Sequence, residues 1–398
     1  MSWDATDQGP GTIQAPPLAL YIHLPWCARK CPYCDFNSHA SPGEPPEVAY
    51  VDALLRDLDQ DLTGPAVGRP LESIFIGGGT PSLFSGGAVA RLLNGVRTLA
   101  ELAPDVEITL EANPGTADAA NFAAYRAAGV NRLSIGVQSL DAAKLVSLGR
   151  IHDPRQARAA VRLAREEGFD NLNLDLMYAL PGQTLDEAAA DLEAAIALEP
   201  EHLSYYQLTL EPNTPFHQSP PPLPDDDLAA DMHDQGLDRL AAAGFRQYEV
   251  SAYARPGRRC RHNLTYWTFG DYLGIGAGAH AKLTDPATGE VERTTKLRHP
   301  EAYLGAARDR HFLSSRRTLG ADDLILEFAL FALRLNQGFD RVLFEGRTGL
   351  PFARLAGPME AARRRGLLVV DRRRVRPSAL GRRFLNDLVQ HFGPQGAS

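Results

Sequence analysis

Three of the four cysteines, Cys27, Cys31 and Cys34, fall within eight residues, and the fourth, Cys260, is far away in the chain. Thiols clustered in this way are typical of a metal or iron–sulfur site, since a disulfide framework spreads its cysteines along a short chain. With Pro32 bending the backbone, the spacing predicts three thiolates around a [4Fe–4S] cluster, which has one more iron than they can bind. That iron is open to an exchangeable ligand, unless Cys260 binds it. A structural zinc site made from all four cysteines is the alternative.

A second candidate site is the glycine turn in the segment IFIGGGTPS, where a predicted strand runs into Gly77, Gly78, Gly79 and Thr80. Glycine lets a backbone turn sharply and approach a small ligand, because no Cβ stands in the way. The spacing matches neither a dinucleotide-binding fingerprint nor a phosphate-binding loop with its lysine. Taken alone, the turn is weak evidence for a ligand site.

Both motifs follow short apolar segments that alternate with helical patterns, which indicates parallel strands joined by crossover helices. The predicted strands are LALYIHL, LESIFIG, DVEITLE, RLSIGVQ, NLNLDLM and HLSYYQL, and the predicted helices cover 47–62, 86–101, 118–128, 154–167, 185–198 and 226–243. Polar and glycine-rich residues at the strand ends predict a complete or partial (β/α) barrel, with its site at the carboxyl ends of the strands. An open doubly wound sheet is the competing architecture.

The rest of the chain divides into three segments outside this pattern. Residues 1–17 carry two aspartates and no lysine or arginine, which predicts a flexible leader rather than a targeting signal. The Pro- and Asp-rich segment 214–227 is either a flap over the strand ends or an ordinary surface loop. With the barrel domain assigned to 18–300, residues 301–398 are predicted to form a small, mainly helical domain of winged-helix type, in which a hairpin precedes the last helix.

Composition excludes several classes of protein. The chain has 398 residues, of which 44% are hydrophobic and 23% charged, as in ordinary globular proteins, and no apolar run is long enough to span a bilayer. Its formal charge of −8 argues against a nucleic-acid partner, although twelve arginines crowd 341–383 against three acids. That basic stretch is either a solvated face or a docking surface for an acidic partner. The clustered thiols and the leader together predict a cytoplasmic protein.

Taken together, these motifs resemble the radical S-adenosylmethionine superfamily, and most closely its anaerobic coproporphyrinogen-III-oxidase-like family. The similarity extends over nearly the whole chain, from about residue 18 to about residue 390, and the match is specific. It rests on CxxxCxxC after the first strand, GGGTP after the second, EANP at 111–114, SIGVQS at 134–139, LGR at 148–150 and NLDLMYALPGQT at 173–184.

The resemblance implies that S-adenosylmethionine chelates the open iron through its amino and carboxylate groups, while the glycine turn holds the molecule. Matched by position in the motifs, the residues implied are Gly78, Gly79 and Thr80 at the methionine end, Glu111, Gln138, Arg150 and Asp175 at the ribose and charged groups, and Tyr21, Tyr33 and Phe36 on the adenosine side. The structural alternatives are ion pairs of Glu111 and Asp175 with Arg150, and a core position for Tyr21.

One position departs from the coproporphyrinogen dehydrogenases, which carry a further cysteine two residues after the third motif cysteine. This chain has Phe36 there, which argues against oxidative decarboxylation. Its segments CPYCDFNSH and HNLTYW instead resemble the HemW-type heme chaperones, which bind heme and pass it to acceptor proteins. His262 is the candidate axial ligand, because imidazole binds heme iron and neighbouring aromatic rings pack on the macrocycle. A hydrogen-bonded core histidine is the alternative, and Cys260 is a less favoured ligand.

The resulting hypothesis is a cytoplasmic heme chaperone on a radical S-adenosylmethionine scaffold. Its predicted cofactors are a [4Fe–4S] cluster, S-adenosylmethionine and heme, and its predicted partners are heme-accepting proteins. An oxygen-independent coproporphyrinogen III dehydrogenase of heme biosynthesis is the alternative function, and no catalytic residue is assigned. Cleavage of S-adenosylmethionine and assembly into a homodimer are both left open.

Overall fold

The computed structural model describes residues 13, 15–41, 43–115, 119–371 and 373–393. Of the predicted leader, only Ile13 and 15–17 are described, and Ile13 is buried. The carbonyls of Pro16 and Pro17 accept hydrogen bonds from the Arg69 side chain and the Asp271 backbone, which tie this segment to the sheet. Among the residues that the structure describes, no helix is both long and apolar enough to cross a bilayer.

A twelve-stranded sheet organises most of the chain, and two small two-stranded sheets lie beside it. In chain order the strands are β1 Leu18–Leu24, β2 Trp26–Cys27, β3 His39–Ala40, β4 Leu71–Gly78, β5 Leu102–Ala112, β6 Arg132–Gln138, β7 Leu172–Tyr178, β8 His202–Gln207, β9 Arg246–Gln247, β10 Ala252–Ala254, β11 Asp271–Ile275, β12 His280–Thr284, β13 Val291–Lys296, β14 Leu313–Thr318, β15 Leu368–Val370 and β16 Val375–Pro377.

The strand order in the large sheet is β14-β13-β12-β11-β1-β4-β5-β6-β7-β8-β10-β9. The seven central strands, from β11 to β8, run parallel, and antiparallel strands extend the sheet at both edges. The sheet therefore does not close on itself, and it forms the partial (β/α) barrel that the alternating pattern predicted. All six predicted barrel strands are present in the predicted order.

Fifteen α-helices connect and cover the strands in the described part of the chain. They are α1 Glu47–Asp61, α2 Gly86–Leu99, α3 Ala119–Ala128, α4 Ala142–Ser147, α5 Pro154–Glu166, α6 Leu185–Ile196, α7 Pro215–Gln218, α8 Asp226–Ala242, α9 Arg261–Trp267, α10 Pro300–Ala306, α11 Ala321–Ala332, α12 Arg341–Thr348, α13 Ala356–Arg364, α14 Ala379–Arg383 and α15 Leu385–Gln390. Local sequence signals determine where two of these helices begin. Asp153 and Thr184 form capping boxes at the starts of α5 and α6, and Pro154 occupies the first turn of α5.

The main core lies between the sheet and its helices. Leu20, Ile22, Ile74, Ile76 and Leu174 are among the strand residues that pack there, all fully buried. Because side chains alternate along a strand, the polar residues between these positions face the inside of the barrel. The sequence thus separates an apolar outer layer from a polar lumen.

A second core holds the C-terminal part of the chain together. It includes Leu319, Phe328, Phe344 and Val389, and the hairpin β15–β16 lies beside it, as expected for a mainly helical domain of winged-helix type. Residues 300–318 pack with the barrel instead, because β14 pairs with β13 and Tyr303 belongs to the main core. The assignment of 301–398 as one folding unit stays a prediction: the C-terminal residues of the second core begin at Leu319, and Phe269 and Val291 of the preceding segment pack into the same core.

Candidate functional site

The lumen of the partial barrel is lined by residues that stay partly exposed on otherwise buried strands. Tyr21, Phe75, Glu111, Asp175 and Tyr206 all have this character. Tyr21 is the cross-strand partner of Phe75, and Asp175 is the partner of Ser204, so that each pair lies on one face of the sheet. This polar face opens at the carboxyl ends of the strands, where the three clustered cysteines also lie.

The cysteine loop begins at β2 and is held by a short parallel pairing with β3, in which Cys27 pairs with Ala40. Cys27 is buried, and the backbone of Cys34 donates to the carbonyl of Cys31 at 3.2 Å. Burial raises the pKa of the Cys27 thiol, and the neighbouring Cys34 and Cys31 raise it further. The fourth cysteine is not among these neighbours.

Arg150 places a cation beside the cysteine loop. Its Nη1 lies 3.5 Å from Cys31 Sγ and donates to it, and its Nη2 donates to the carbonyl of Gly136 at 2.9 Å. Its Nε is buried without a hydrogen-bond partner. Tyr33, between the cysteines, has its pKa raised by burial first of all, and Arg150 opposes that shift. A guanidinium with a spare donor suits an anionic cluster or a carboxylate at this position.

The glycine turn packs directly against the chain that leads into the cysteine loop. Gly79 N–H donates to Leu24 O at 2.8 Å, and Thr80 N–H donates to Trp26 O at 2.7 Å. A Cβ on Gly79 would collide with the Trp26 carbonyl, and Gly78 has a φ of +125° that side chains rarely adopt. The turn therefore has a structural task, which is to hold the backbone just before Cys27.

Two carboxylates lie in the lumen below this turn. Glu111 Oε2 accepts the N–H of Gly78 at 3.1 Å, and burial together with the charge of Asp175 raises the pKa of Glu111 to about 8. Asp175 accepts from Ser134 Oγ at 3.1 Å and from Asn173 Nδ2 at 2.9 Å, and burial also raises its pKa. Neither forms an ion pair with Arg150 in the structure. Two neighbouring acids that are largely shielded from water inside the lumen favour a ligand that carries positive charge.

Gln138 and Tyr21 complete the rim of the lumen. Gln138 has a left-handed backbone with a φ of +66°, and its Oε1 accepts from Tyr206 Oη at 2.7 Å. Tyr21 Oη lies 2.9 Å from His23 Nδ1, and His23 Nε2 lies 2.9 Å from the carbonyl of Asn37. Because a carbonyl only accepts, His23 carries its proton on Nε2, so that Tyr21 donates to Nδ1.

Of the residues predicted to contact S-adenosylmethionine, nine meet at this rim or beside the cysteine loop, and Phe36 does not join them. The Phe36 side chain is 62% exposed. Its carbonyl accepts hydrogen bonds from Lys30 Nζ and from the backbone of Ser38, which fix the loop while leaving the ring in solvent. Its role on the adenosine side stays a prediction.

His262 lies at the floor of the lumen rather than at its opening. It is 1% exposed, its ring stacks on Phe75 with centroids 5.1 Å apart, and burial lowers its pKa to about 3. Nδ1 lies 3.1 Å from Ser73 Oγ and Nε2 lies 3.0 Å from Tyr266 Oη. With both ring nitrogens hydrogen-bonded inside the fold, this geometry is that of a core histidine. Its role as a heme ligand stays a prediction that the packing disfavours.

Cys260 also lies at the floor, at the start of α9. Its Sγ is 3.6 Å from Glu107 Oε1, which also accepts the backbone N–H of Arg261, and burial raises the pKa of the Cys260 thiol to about 12. A protonated, fully buried thiol in this position is not arranged to bind the cluster. Within the described residues, no group of three or more His, Cys, Asp or Glu side chains is arranged for a single metal ion, including zinc.

The segment 214–227 covers the mouth of the barrel beside the cysteines. The N–H of Phe216 donates to Pro32 O at 3.0 Å, and its ring lies 6.3 Å from that of Tyr33. Leu223 joins the same small cluster of apolar side chains around Met177. The sequence left open whether this segment is a flap over the strand ends or an ordinary surface loop. In the structure it packs over the strand ends.

Sequence reasoning missed Phe75, Tyr206 and Asn37, all of which shape the site. Phe75 and Tyr206 alternate with apolar residues on strands that the pattern did predict, so the period of two could have placed them on the inner face. Asn37 offers no such signal, because its role comes from long-range bonds to Ala277 and Arg298.

The cysteine loop, the glycine turn and the partial barrel define a radical S-adenosylmethionine protein. Residues 21–195 match the model of the radical SAM superfamily, and residues 319–384 match the model of the HemN C-terminal domain. The chain is also similar to a solved structure of coproporphyrinogen III oxidase from Escherichia coli, with a TM-score of 0.80 and 25% identity over 95% of this chain and 90% of that one.

Curated relatives narrow this class to one family. The chain is 51% identical to heme chaperone HemW of Escherichia coli K12, over 96% of this chain and 99% of the relative. It is 37% identical to heme chaperone HemW of Mycobacterium tuberculosis H37Rv, over 90% of each. It is also 37% identical to the mitochondrial radical S-adenosyl methionine domain-containing protein 1 of Bos taurus, over 96% of this chain and 87% of that protein. The chain belongs to the HemW family.

Proposed function

We propose that this chain is a cytoplasmic heme chaperone, which binds heme and transfers it to an acceptor protein. The observation that carries the proposal is the 51% identity to heme chaperone HemW over 96% of the chain, which includes the cysteine loop, the α9 segment and the C-terminal domain. Coverage of all three parts matters, because the barrel alone serves many different activities.

The residues fit a [4Fe–4S] cluster as the resident cofactor. Cys27, Cys31 and Cys34 would supply three thiolates, and the Arg150 guanidinium beside Cys31 would offset their negative charge. Soft thiolate ligands favour iron–sulfur clusters and zinc, and the buried position of Cys260 leaves zinc without its fourth thiolate. Reconstituted protein should contain iron and sulfide and absorb visible light, whereas colourless protein loaded with zinc would contradict this assignment.

S-adenosylmethionine is proposed as the ligand of the lumen. It carries a sulfonium and an ammonium group, which suit the two acids Glu111 and Asp175, whose burial otherwise favours their uncharged forms. Arg150 would bind its carboxylate through the free Nε, and Tyr21 would pack against the adenosine. The bound cluster would supply an open iron for chelation. Mass spectrometry for 5′-deoxyadenosine after reduction tests separately whether the molecule is cleaved.

The relation to coproporphyrinogen III oxidase makes an oxidative decarboxylation assay necessary. Anaerobic incubation with coproporphyrinogen, reductant and S-adenosylmethionine should give no protoporphyrinogen, because Phe36 replaces the additional cysteine that the resemblance associates with that reaction. Formation of protoporphyrinogen in several turnovers would overturn the chaperone assignment.

An anaerobic hemin titration of the cluster-reconstituted protein tests the proposed function directly. We expect a saturable change in the Soret band near one heme per chain. Transfer is then followed by mixing the loaded protein with apomyoglobin as a spectroscopically distinct acceptor, with free hemin as the control for passive release. Hemin binding that does not saturate, or that a denatured sample reproduces, would exclude the function.

A further inference from the structure

A line of buried side chains leads from the edge of the sheet to Asp175 in the lumen. Asn173 lies two residues before Asp175 on β7, so both side chains are on the same face of the sheet, and His202 of β8 is the cross-strand partner of Asn173. Tyr248 follows β9, and its ring centroid is 5.7 Å from that of His202. Asn173, His202 and Tyr248 are each at most 2% exposed, whereas Asp175 is partly exposed. These three residues would therefore act on a ligand through Asp175.

The hydrogen bonds of Asn173 fix the orientation of its amide group. Its Nδ2 donates to Asp175 Oδ1 at 2.9 Å and to Ser134 Oγ at 2.7 Å. Ser134 in turn donates its hydroxyl proton to Asp175 Oδ2 at 3.1 Å. The amide oxygen of Asn173 consequently faces the other way, toward β8, where it can only accept a hydrogen bond.

His202 contacts this amide oxygen with one ring nitrogen and Tyr248 with the other. Its Nδ1 lies 2.6 Å from Asn173 Oδ1, and its Nε2 lies 2.9 Å from Tyr248 Oη. Burial lowers the pKa of His202 well below its ordinary value, and the positive charge of Arg132 lowers it further, so the ring is neutral and has one proton. That proton is on Nδ1, because the amide oxygen only accepts, and Tyr248 therefore donates to Nε2.

Tyr248, His202 and Asn173 thus form a donor chain that ends at Asp175. Tyr248 donates to His202, which donates to Asn173, which donates to the carboxylate. Hydrogen bonds linked in this way polarise one another in a protein interior, which strengthens the bond to the last acceptor. Burial raises the pKa of Asp175, and the side-chain hydrogen bonds that it accepts oppose this shift, so that the chain favours the ionised carboxylate.

The far end of the donor chain is anchored where the C-terminal domain meets the barrel. The carbonyl of Tyr248 accepts the N–H of Asn336 at 3.0 Å, and its side chain packs in a small apolar cluster with Leu335 and Ala252. The Tyr248 hydroxyl is therefore held in place beside His202.

We propose that the donor chain positions the Asp175 carboxylate for S-adenosylmethionine. The inference rests on the ligand proposed above for the lumen, and it extends that site to three positioning residues that do not touch the ligand. Each oxygen of Asp175 accepts a hydrogen bond from the fold and keeps a further lone pair for a donor or a cation of the ligand. A carboxylate held in one orientation avoids the cost of being ordered when the ligand binds.

The test is the affinity of cluster-reconstituted protein for S-adenosylmethionine, measured by equilibrium dialysis. His202→Leu keeps the approximate size of the side chain but cannot donate to Asn173, and the dissociation constant should rise about tenfold or more. His202→Asn should stay within about threefold of the wild type, because its amide nitrogen can replace Nδ1 as the donor. Combined with Asp175→Asn, His202→Leu should change the affinity by less than about twofold, because the chain acts through that carboxylate.

Tyr248→Phe removes the donor at the far end of the chain. The affinity should fall about threefold, less than in His202→Leu, since the imidazole stays in place. Tyr253→Phe is the matched control, because this buried hydroxyl accepts from Gln247 Nε2 at 3.2 Å and lies outside the chain. Heteronuclear NMR of histidine-labelled, cofactor-free protein should show a neutral His202 with its proton on Nδ1, which a side chain that only fills space would not require.

Cluster content and circular dichroism of each variant separate a displaced carboxylate from a lost fold. A folded, cluster-containing His202→Leu variant with the wild-type affinity would overturn the inference, as would an equal loss with and without Asp175→Asn, or a His202 proton on Nε2. If His202→Leu does not fold, Tyr248→Phe and the NMR spectrum decide instead. Failure of the wild type to bind S-adenosylmethionine would reject the ligand proposed for the lumen, so the two failures are distinguishable.

Discussion

Single residues in the lumen show what the fold sets aside for a ligand. Glu111 and Asp175 accept backbone and side-chain hydrogen bonds, yet burial keeps both pKa values raised, and neither carboxylate forms an ion pair among the residues that the structure describes. Buried acids cost stability when they are charged, so a site of this kind is better explained by binding than by folding.

Glu111→Gln should change the pH dependence of stability in the cofactor-free protein. In the folded state the pKa of Glu111 is about 8, against an ordinary value of 4.5, so the folded protein keeps a proton that the unfolded chain releases between these values. The free energy of unfolding therefore falls as the pH rises through this window. Urea unfolding from pH 5 to pH 8 should show a flatter dependence in the variant, and exposed Glu101→Gln should follow the wild type. An equally steep decline in Glu111→Gln would contradict the assignment.

His262→Ala should lower stability and leave the heme spectrum unchanged. The substitution leaves a cavity below Phe75 and removes the partner of the Ser73 and Tyr266 hydroxyls, which costs about 2–4 kcal/mol in buried sites. Urea unfolding measures the first effect and hemin titration the second. A normal free energy of unfolding combined with a lost Soret band would restore His262 as the ligand.

The residues of the site were predictable to the extent that local motifs mark them. The cysteines are clustered in sequence and the glycines of the turn are contiguous, Glu111 and Gln138 each end a predicted strand, and Asp175 lies within one. The HNLTYW segment indicated the correct family, and its role in heme ligation stays a prediction, because in the structure its aromatic residues fill the floor and the domain interface, where Trp267 lies 6.0 Å from the Phe331 ring. Sequence proximity of a histidine to aromatic rings does not distinguish packing against protein from packing against a macrocycle.

At the scale of elements, the glycine turn connects β4 to the chain that enters the cysteine loop. Gly79 and Thr80 donate to carbonyls on both sides of Pro25, so the carboxyl end of one strand fixes the position of Cys27. This contact between the two segments explains why position 79 needs a glycine even before any ligand binds.

Gly79→Ala should impair cluster assembly. The added Cβ collides with the Trp26 carbonyl, and relief requires a backbone shift next to Cys27, at a typical cost of about 1–3 kcal/mol for overpacking. We expect less than half of the wild-type iron and sulfide content after reconstitution. Gly87→Ala is the matched control, because its Cβ would meet only Ser85 Oγ at 3.9 Å. Equal cluster content in the two variants would show that the turn does not position Cys27.

The prediction of strands and helices from the sequence is correct where the two alternate and incomplete where they do not. All six predicted barrel strands and their helices are present, because their apolar faces are long and periodic. Strand β11, which pairs with β1, was not predicted, since only the short α9 precedes it and its five residues are all buried. The edge strands β12 to β14 carry polar residues, which are exposed on β14 and mostly half-buried on β13, and their pairing depends on contacts that no local pattern encodes.

At the scale of the whole molecule, the C-terminal domain uses part of its positive charge to dock on the barrel. Residues 319–393 contain thirteen arginines against eight acids, although the chain has a net charge of −8. Arg383 pairs with Asp234 of α8, and Arg334 pairs with Glu249 next to the β9–β10 hairpin. The basic stretch seen in the sequence is therefore in part an intramolecular interface, and only the remaining arginines are available for an acceptor.

Arg334 is the residue on which this docking can be tested. It lies 4.4 Å over the Trp267 ring and 3.2 Å from Glu249, which is 4% exposed on its side chain. Arg334→Met leaves that buried carboxylate without its cation, and we expect a loss of about 2–3 kcal/mol in the free energy of unfolding. Adding Glu249→Gln should recover most of the loss, because no unpaired charge then remains in the interface.

Arg354→Met is the control for this cycle, since its partner Asp322 is 73% exposed and the pair should contribute less than about 1 kcal/mol. Urea unfolding followed by both tryptophan fluorescence and circular dichroism measures the result. In Arg334→Met part of the fluorescence change should precede the change in circular dichroism, because Trp267 lies at the interface while Trp26 lies in the main core of the barrel, which stays folded. Coincident transitions at the wild-type midpoint would show that the ion pair does not hold the two cores together, and the docking would then rest on the Arg383–Asp234 pair and on apolar packing.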